Sequence, residues 1–311
     1  MQKNSLKFPV EIVDGAFGES TVLADLLRGG RALLVADNNV VQHVEGLGTR
    51  IGAYVRAHGL ELSGAPVVIP GGERIKTDDL KSARRVVAAA LAANLGPDDA
   101  VVALGGGTLL DVAGWAASQF RGGVRLVRVP TTPAAVMGAA FATTAALNDQ
   151  SAKDVFVVPS VPAAVVVDLS LSSSVLDGVW RGGLGEAVRL AVDVEPKYLQ
   201  KILALAERYR ARDAEAFAEI ATHIVALRQK KGGTDLGLKT AAALEPKSGW
   251  KLPHGYAVAI GVLIDLYVAV KEGARDEADL VACRDILSAC GALDGARHSK
   301  HILPPELADF W

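Results

Sequence analysis

The sequence predicts an α/β domain followed by an α-helical one, and three observations carry the prediction. Runs of Val, Leu and Ala without polar alternation recur through the first half, each followed by a stretch of helical period. Strands of that kind are buried on both faces, as in a mostly parallel sheet covered by helices. From Ser172 onward the periodicity is helical, and half of the 311 residues are apolar, enough at this length for a substantial core. Residues 1–171 are therefore assigned to the α/β domain and 172–311 to the helical one.

Taken in order, the strands are expected at "RALLVADNN" from Arg31, "APVVIPGGE" from Ala65, "DAVVALGGG" from Asp99, "VRLVRVPTT" from Val124 and "AAVVVDLS" from Ala163. Each ends on Gly, Pro or small polar residues that stop a strand. Helices are expected up to about Arg56 and over "DDLKSARRVVAAALAANL". In the second half they fall on "GGLGEAVRLAV", on the long run from "EPKYLQ" to "LRQKK", and on "HGYAVAIGVLIDLYVAVKEGA". The closing "HSKHILPPELADFW" has two prolines and no period, and is expected to run over the surface.

A net charge of −2 with both signs interspersed leaves no positive face. Nucleic acid and anionic membrane are thereby set aside as partners, and a small molecule is expected. The first residues lack an apolar core of signal-peptide length, and the longer apolar runs are interrupted, so the expected compartment is the cytoplasm. Cys283 and Cys290, seven apart on one helix, match neither a redox pair nor a zinc knuckle and read as core thiols.

Chemistry concentrates at strand ends. In "DAVVALGGGTLLDVAGWAA" a buried strand runs through Gly105, Gly106 and Gly107 into a helix carrying Asp111 in an early turn. Glycines there let backbone N–H groups approach a pyrophosphate that the helix N-terminus favours. The pattern is not the G-x-G-x-x-G fingerprint, and such a turn also arises for steric reasons alone. Asp37 in "VADNN" and Glu73 and Lys76 in "PGGERIKT" end two further strands, and ligands of open α/β sheets collect at strand carboxyl ends.

With these residues in view, the chain resembles the 3-dehydroquinate synthase family of NAD-dependent sugar phosphate cyclases. The matching segments are "ADNNV", "PGGERIKT", "GGGTLLDVAGWAASQFRGG", "VPTT", "VVVDLSLSSS", "GGLGEAVR" and "HGYAVAIGV", in family order over most of the chain. The resemblance implies an N-terminal NAD-binding domain, a C-terminal helical domain with the active site in the cleft between them, a homodimer, and transient oxidation of a phosphorylated sugar. It places Asp37, Glu73, Lys76, Gly105, Gly106, Asp111, Thr131 and Thr132 on the NAD, and Glu186 and His254 on a divalent metal, zinc or cobalt. Lys153 and Arg189 fall on the anionic group of the substrate.

The sequence departs from the family at several of these places. The "GHT-x-GHA-x-E" motif reads "GLKTAAALE", with Leu238 and Ala242 where histidines stand, so one metal ligand and one further histidine are gone. A catalytic zinc takes three protein ligands and an open position; His223, Asp235 and Glu245 are the nearby candidates for a third donor. Gly138 replaces an Asp, Thr144 a Lys, Asp154 an Asn and Tyr256 a Glu, while Lys153 is kept. An Asp in place of an Asn is expected to repel a phosphate by roughly 1 kcal/mol or more.

Simpler readings stand beside these. Glu186 and Arg189 are spaced as a surface i,i+3 ion pair, His254 as a helix-start residue bonded to backbone, and Thr131 and Thr132 as cap residues. "LRQKKGG" reads as a solvated helix end, the tryptophans as packing anchors, and His43, His58, His298 and His301 as surface or loop residues. Three functions follow: a divergent cyclase acting on a sugar-like or cyclitol-like substrate through NAD, a silent NAD-binding partner or regulatory subunit, or an oxidoreductase akin to the metal-dependent polyol dehydrogenases.

Overall fold

The computed structural model describes residues 6–294; His298, His301 and the closing segment lie outside them. The described chain divides into two compact units, one of residues 7–150 and 154–175, the other of 176–294 with residues 6 and 151–153.

The first unit is built on a parallel sheet of β1 (Val10–Val13), β2 (Arg31–Asp37), β3 (Glu61–Leu62), β4 (Val67–Ile69), β5 (Ala100–Gly105), β6 (Arg125–Pro130) and β9 (Ala164–Asp168). The order is β1-β9-β6-β5-β2-β3, with β4 also on β2. All five expected strands are present, and every residue of β5 and β9 is buried, as their unbroken apolar runs require. The helix Gly107–Gln119 lies against β5 and β6 with an Ala- and Leu-rich face.

Three features were not read beforehand. β1 and β3 are strands of four and two residues, too brief to show a period. An antiparallel hairpin joins β7 (Thr144–Leu147), whose alanines favour no strand by propensity, to β8 (Phe156–Pro159), whose Phe-Val-Val run does. Arg128 of β6 holds it in place. Its buried guanidinium donates to the carbonyls of Ala140, Ala142 and Ser160, and with no carboxylate bonded to it, burial lowers its pKa to about 10.

Among the described residues the second unit holds the helices Asp177–Gly182, Leu184–Val194, Leu199–Arg210, Ala214–Lys231, Leu238–Lys247, His254–Lys271 and Glu277–Ala289. Trp180 is a packing anchor, stacked on Tyr209 at 5.0 Å with their side chains and carbonyls hydrogen-bonded reciprocally. His254–Lys271 is the one described helix long and apolar enough to cross a membrane, yet most of its first thirteen residues are buried within this unit. Cys283 and Cys290 are buried free thiols, and burial pushes both pKa values up to about 12.

Glycine sets the closest approaches here. A Cβ at Gly255 would lie 2.5 Å from the carbonyl carbon and oxygen of Gly182, and one at Gly185 3.1 Å from the Gly255 oxygen. Only bare backbone fits at that crossing, which sets Glu186 beside His254. At a second crossing, a Cβ on Gly261 would lie 2.3 Å from the Gly237 oxygen.

Candidate functional site

In the α/β unit the nucleotide-type residues do gather at carboxyl ends of strands. β2 ends at Asp37, β5 at Gly105, and β6 runs into Thr131. The turn after β5 has no room for side chains. A Cβ at Gly105 would stand 2.5 Å from Leu109, one at Gly106 2.9 Å from Thr132, and one at Gly107 2.9 Å from Ala139. The helix beginning at Gly107 has no side-chain cap, so its first amides are available to an anion.

Asp37 is buried and caps the helix Asn38–His43 through the Asn39 amide, 2.8 Å away. Burial raises its pKa, and the amide only partly offsets this. Gly71 packs on its carboxylate so closely that a Cβ would lie 2.8 Å from both oxygens. Thr132 is an N-cap, accepting from the Ala135 amide, as the simpler reading expects. Thr131 is not: its hydroxyl is wholly buried with no hydrogen-bond partner, a condition that leaves about 1–3 kcal/mol of desolvation uncompensated.

Lys76 is the hub of this unit's charges. Its ammonium lies 2.8 Å from Asp111, 3.1 Å from Asp154 and 3.5 Å from Glu73. Burial works to deprotonate it, and the three carboxylates override this and hold its pKa well above the ordinary value. Glu73 in turn accepts from Thr108 and Asn148. Asp154, expected to repel a phosphate, shares Lys76 with Asp111 and Glu73, so these four side chains together keep a negative charge.

The helical unit assembles a second cluster. Glu186, on Leu184–Val194, accepts on one carboxylate oxygen from Arg189 and Arg228, at 2.7 and 3.0 Å. The i,i+3 pair is thus real, but it is buried where the simpler reading expects a solvated face. Burial alone would raise the Glu186 pKa, and the two guanidinium groups hold it below the usual carboxylate range. Arg189 also donates to the Thr234 carbonyl.

Arg228 belongs to the "LRQKK" run read as solvated. That reading holds for Lys230 and Lys231, whereas Arg228 is turned into the unit, its pKa lowered to about 10 by burial and by Arg189 against the pull of Glu186.

His254, the first residue of its helix, makes side-chain contacts in place of the expected backbone bond. Its Nδ1 is 2.8 Å from Glu245 and 3.0 Å from the Lys153 ammonium, which itself lies 2.6 Å from both Glu245 oxygens. The opposite ring nitrogen, Nε2, stands 3.9 Å from the other Glu186 oxygen. Lys153, Glu186, Arg189 and His254 are therefore brought together as the motif pattern expects. Arg228 was missed, and Glu245 was named only as a spare donor; an apolar helical face interrupted by one charge is the signal each carries.

A metal does not fit this donor set. Glu186 and Glu245 flank His254 on opposite ring nitrogens, so the three cannot converge on one ion. His223 is stacked on Tyr198 and paired with Glu195, and Asp235 is exposed. Among the described residues no three His, Cys, Asp or Glu side chains are grouped to hold an ion.

The first unit is thus a parallel sheet with a glycine turn at its strand ends, and the second a helical unit with a buried polar cluster. Residues 66–178 match the 3-dehydroquinate synthase N-terminal family. The chain is 25% identical to a 3-dehydroquinate synthase of Shewanella halifaxensis (strain HAW-EB4), over 97% of its own length and 83% of that protein's.

In fold it is similar to 2-epi-5-epi-valiolone synthase from Streptomyces hygroscopicus subsp. jinggangensis 5008, a structure with NAD+ and Zn2+ bound. The TM-score is 0.78 and the identity 22%, over 94% of this chain and 82% of the other. It is likewise similar to 2-deoxy-scyllo-inosose synthase complexed with carbaglucose-6-phosphate, NAD+ and Co2+, at a TM-score of 0.76 and 21% identity, with 94% and 82% covered. The resemblance read from the motifs therefore holds: the chain is dehydroquinate synthase-like in sequence and in fold.

Proposed function

We propose that the chain is an NAD-dependent enzyme of the sugar phosphate cyclase type, a cytoplasmic homodimer that transiently oxidises one carbon of an anionic sugar-like or cyclitol-like substrate. The side-chain-free turn Gly105–Gly107 at the end of β5, leading into a helix with no side-chain cap, carries this reading. NAD fits these residues: the uncapped amides after Gly106 suit a pyrophosphate, and Asp37, Glu73, Lys76, Asp111 and Thr132 line the same strand ends.

Bound nicotinamide would supply a hydride acceptor that returns the hydride within each turnover. The residues of the helical unit would act on the substrate. Lys153 carries the charge for an anionic group, and His254, its Nδ1 side fixed by Glu245, presents Nε2 to a substrate oxygen. A second reading, a catalytically silent NAD-binding partner, is favoured by Leu238 where the family has a metal ligand.

The tests are nicotinamide absorbance in the purified protein and thermal stabilisation by added NAD, which at 100 times Kd adds about 2.7 kcal/mol. Thr131→Val is expected to leave the ligand-free protein as stable or slightly more so, while weakening NAD by roughly 5- to 30-fold, the equivalent of about 1–2 kcal/mol. A variant that binds NAD as tightly as the parent refutes the assignment. Closure of a heptulose phosphate without net NADH separates the cyclase reading from the silent one.

A further inference from the structure

We infer that the helical unit's site operates without a divalent metal, its positive charge supplied by the fixed cations Lys153, Arg189 and Arg228. The inference rests on the family reading above, and it concerns where this chain departs from that pattern.

Glu186 and His254 offer one oxygen and Nε2, 3.9 Å apart, to a common point. Two protein ligands hold zinc or cobalt far more weakly than three. Glu245, the remaining carboxylate, sits on the Nδ1 side of the ring, where an acceptor orients a histidine without being able to share its ion. Both of its oxygens are already bonded to the Lys153 ammonium at 2.6 Å.

Charge points the same way. The cluster contains two carboxylates, Glu186 and Glu245, and three cations, Lys153, Arg189 and Arg228, so it carries one net positive charge with His254 neutral. A divalent ion would raise that to three inside a site where all five of these side chains are buried. Sites that hold a dication supply negative ligands to offset it, and this one already holds its own cations within hydrogen-bond distance of each carboxylate. What remains open is the exposed edge of His254, its ring backed by the Lys153 ammonium and suited to an oxygen of a polyol or its ketone.

The experiment uses the full chain, expressed with added zinc or cobalt and dialysed. Elemental analysis and the visible absorption of Co2+ read the metal, while nicotinamide absorbance on the same sample reads the NAD assignment separately. The expected result is well under one metal per chain, no cobalt band, and any turnover unchanged by chelator. One dialysis-resistant ion per chain, lost in His254→Ala, overturns the inference. Leu238→His adds a neutral donor and leaves the positive surplus in place, so it too is expected to show no dialysis-resistant cobalt band; such a band in the variant refutes the charge argument, and one in the parent the inference itself.

Discussion

The backbone crossing at Gly255 is where local sequence most directly sets the helical cluster, and Gly255→Ala tests it. An added Cβ would sit 2.5 Å from the Gly182 carbonyl, and ordinary contact begins at 3.4 Å, so the helices must separate by 0.9 Å, the difference of the two. Neither neighbour can yield by changing rotamer, because the atoms met are backbone. Overpacking of this kind costs about 1–3 kcal/mol, against a gain of roughly 1 kcal/mol from replacing Gly by Ala in a helix.

Gly48→Ala is the control, since that helical glycine has nothing within 4 Å and only the propensity gain applies. Urea denaturation followed by circular dichroism is expected to show Gly48→Ala neutral or stabilised by a few tenths of a kcal/mol or more. Gly255→Ala should fall below Gly48→Ala by about 1–3 kcal/mol, which places it about 0–2 kcal/mol below the parent. It should also move His254 away from Glu186, four residues beyond Gly182. Equal effects of the two substitutions would refute the claim that the glycine exists for the crossing.

Other outcomes follow from the charges. Lys76→Met leaves Asp111, Asp154 and Glu73 facing one another; because two of them are partly hydrated, the expected loss is about 1–3 kcal/mol, and unchanged thermal stability would count against the hub. Asp99 is buried, which alone would raise its pKa, but bonds from Arg31 and the amides of Gly96 and Arg31 hold it below the ordinary value. Its stabilisation is therefore complete above the unfolded pKa of about 3.9 and lost as pH falls through the folded one. The stability gap between parent and Asp99→Asn should be flat above roughly pH 5 and shrink in acid, and a flat gap throughout would contradict this. With thiol pKa values near 12, Cys283 and Cys290 should resist a thiol reagent at pH 8 until the chain unfolds; prompt native labelling would refute their burial.

The sheet was legible because its strands are buried on both faces, and nothing but an unbroken apolar run survives there; β5 and β9 are the clearest cases. β7 was not, because its Thr-Ala-Ala-Leu run gains strand character from pairing with β8 and from the Arg128 bonds to surrounding carbonyls, neither of which leaves a local pattern. At the cluster, motif spacing found Glu186, Arg189, Lys153 and His254. It gave no sign that Arg228, forty-two residues beyond Glu186, shares the same carboxylate oxygen.

The two units match the family motifs to different degrees, and the structural duty of each residue bears on the difference. In the α/β unit the cofactor-type residues also hold the fold: Asp37 caps a helix, Thr132 caps another, Lys76 is the shared counter-ion of three carboxylates, and the glycines leave no space for a side chain. Losing any of them would cost stability whether or not NAD is bound. A metal histidine carries no such second duty, and a leucine at the start of a helix is tolerated without it. Glu186 and Glu245 persist because each is the counter-ion of a buried cation, Arg189 and Arg228 for the first and Lys153 for the second. Removing either carboxylate would strand a buried charge at about 3–5 kcal/mol, so these acids are retained by the fold even where no ion is there to be held.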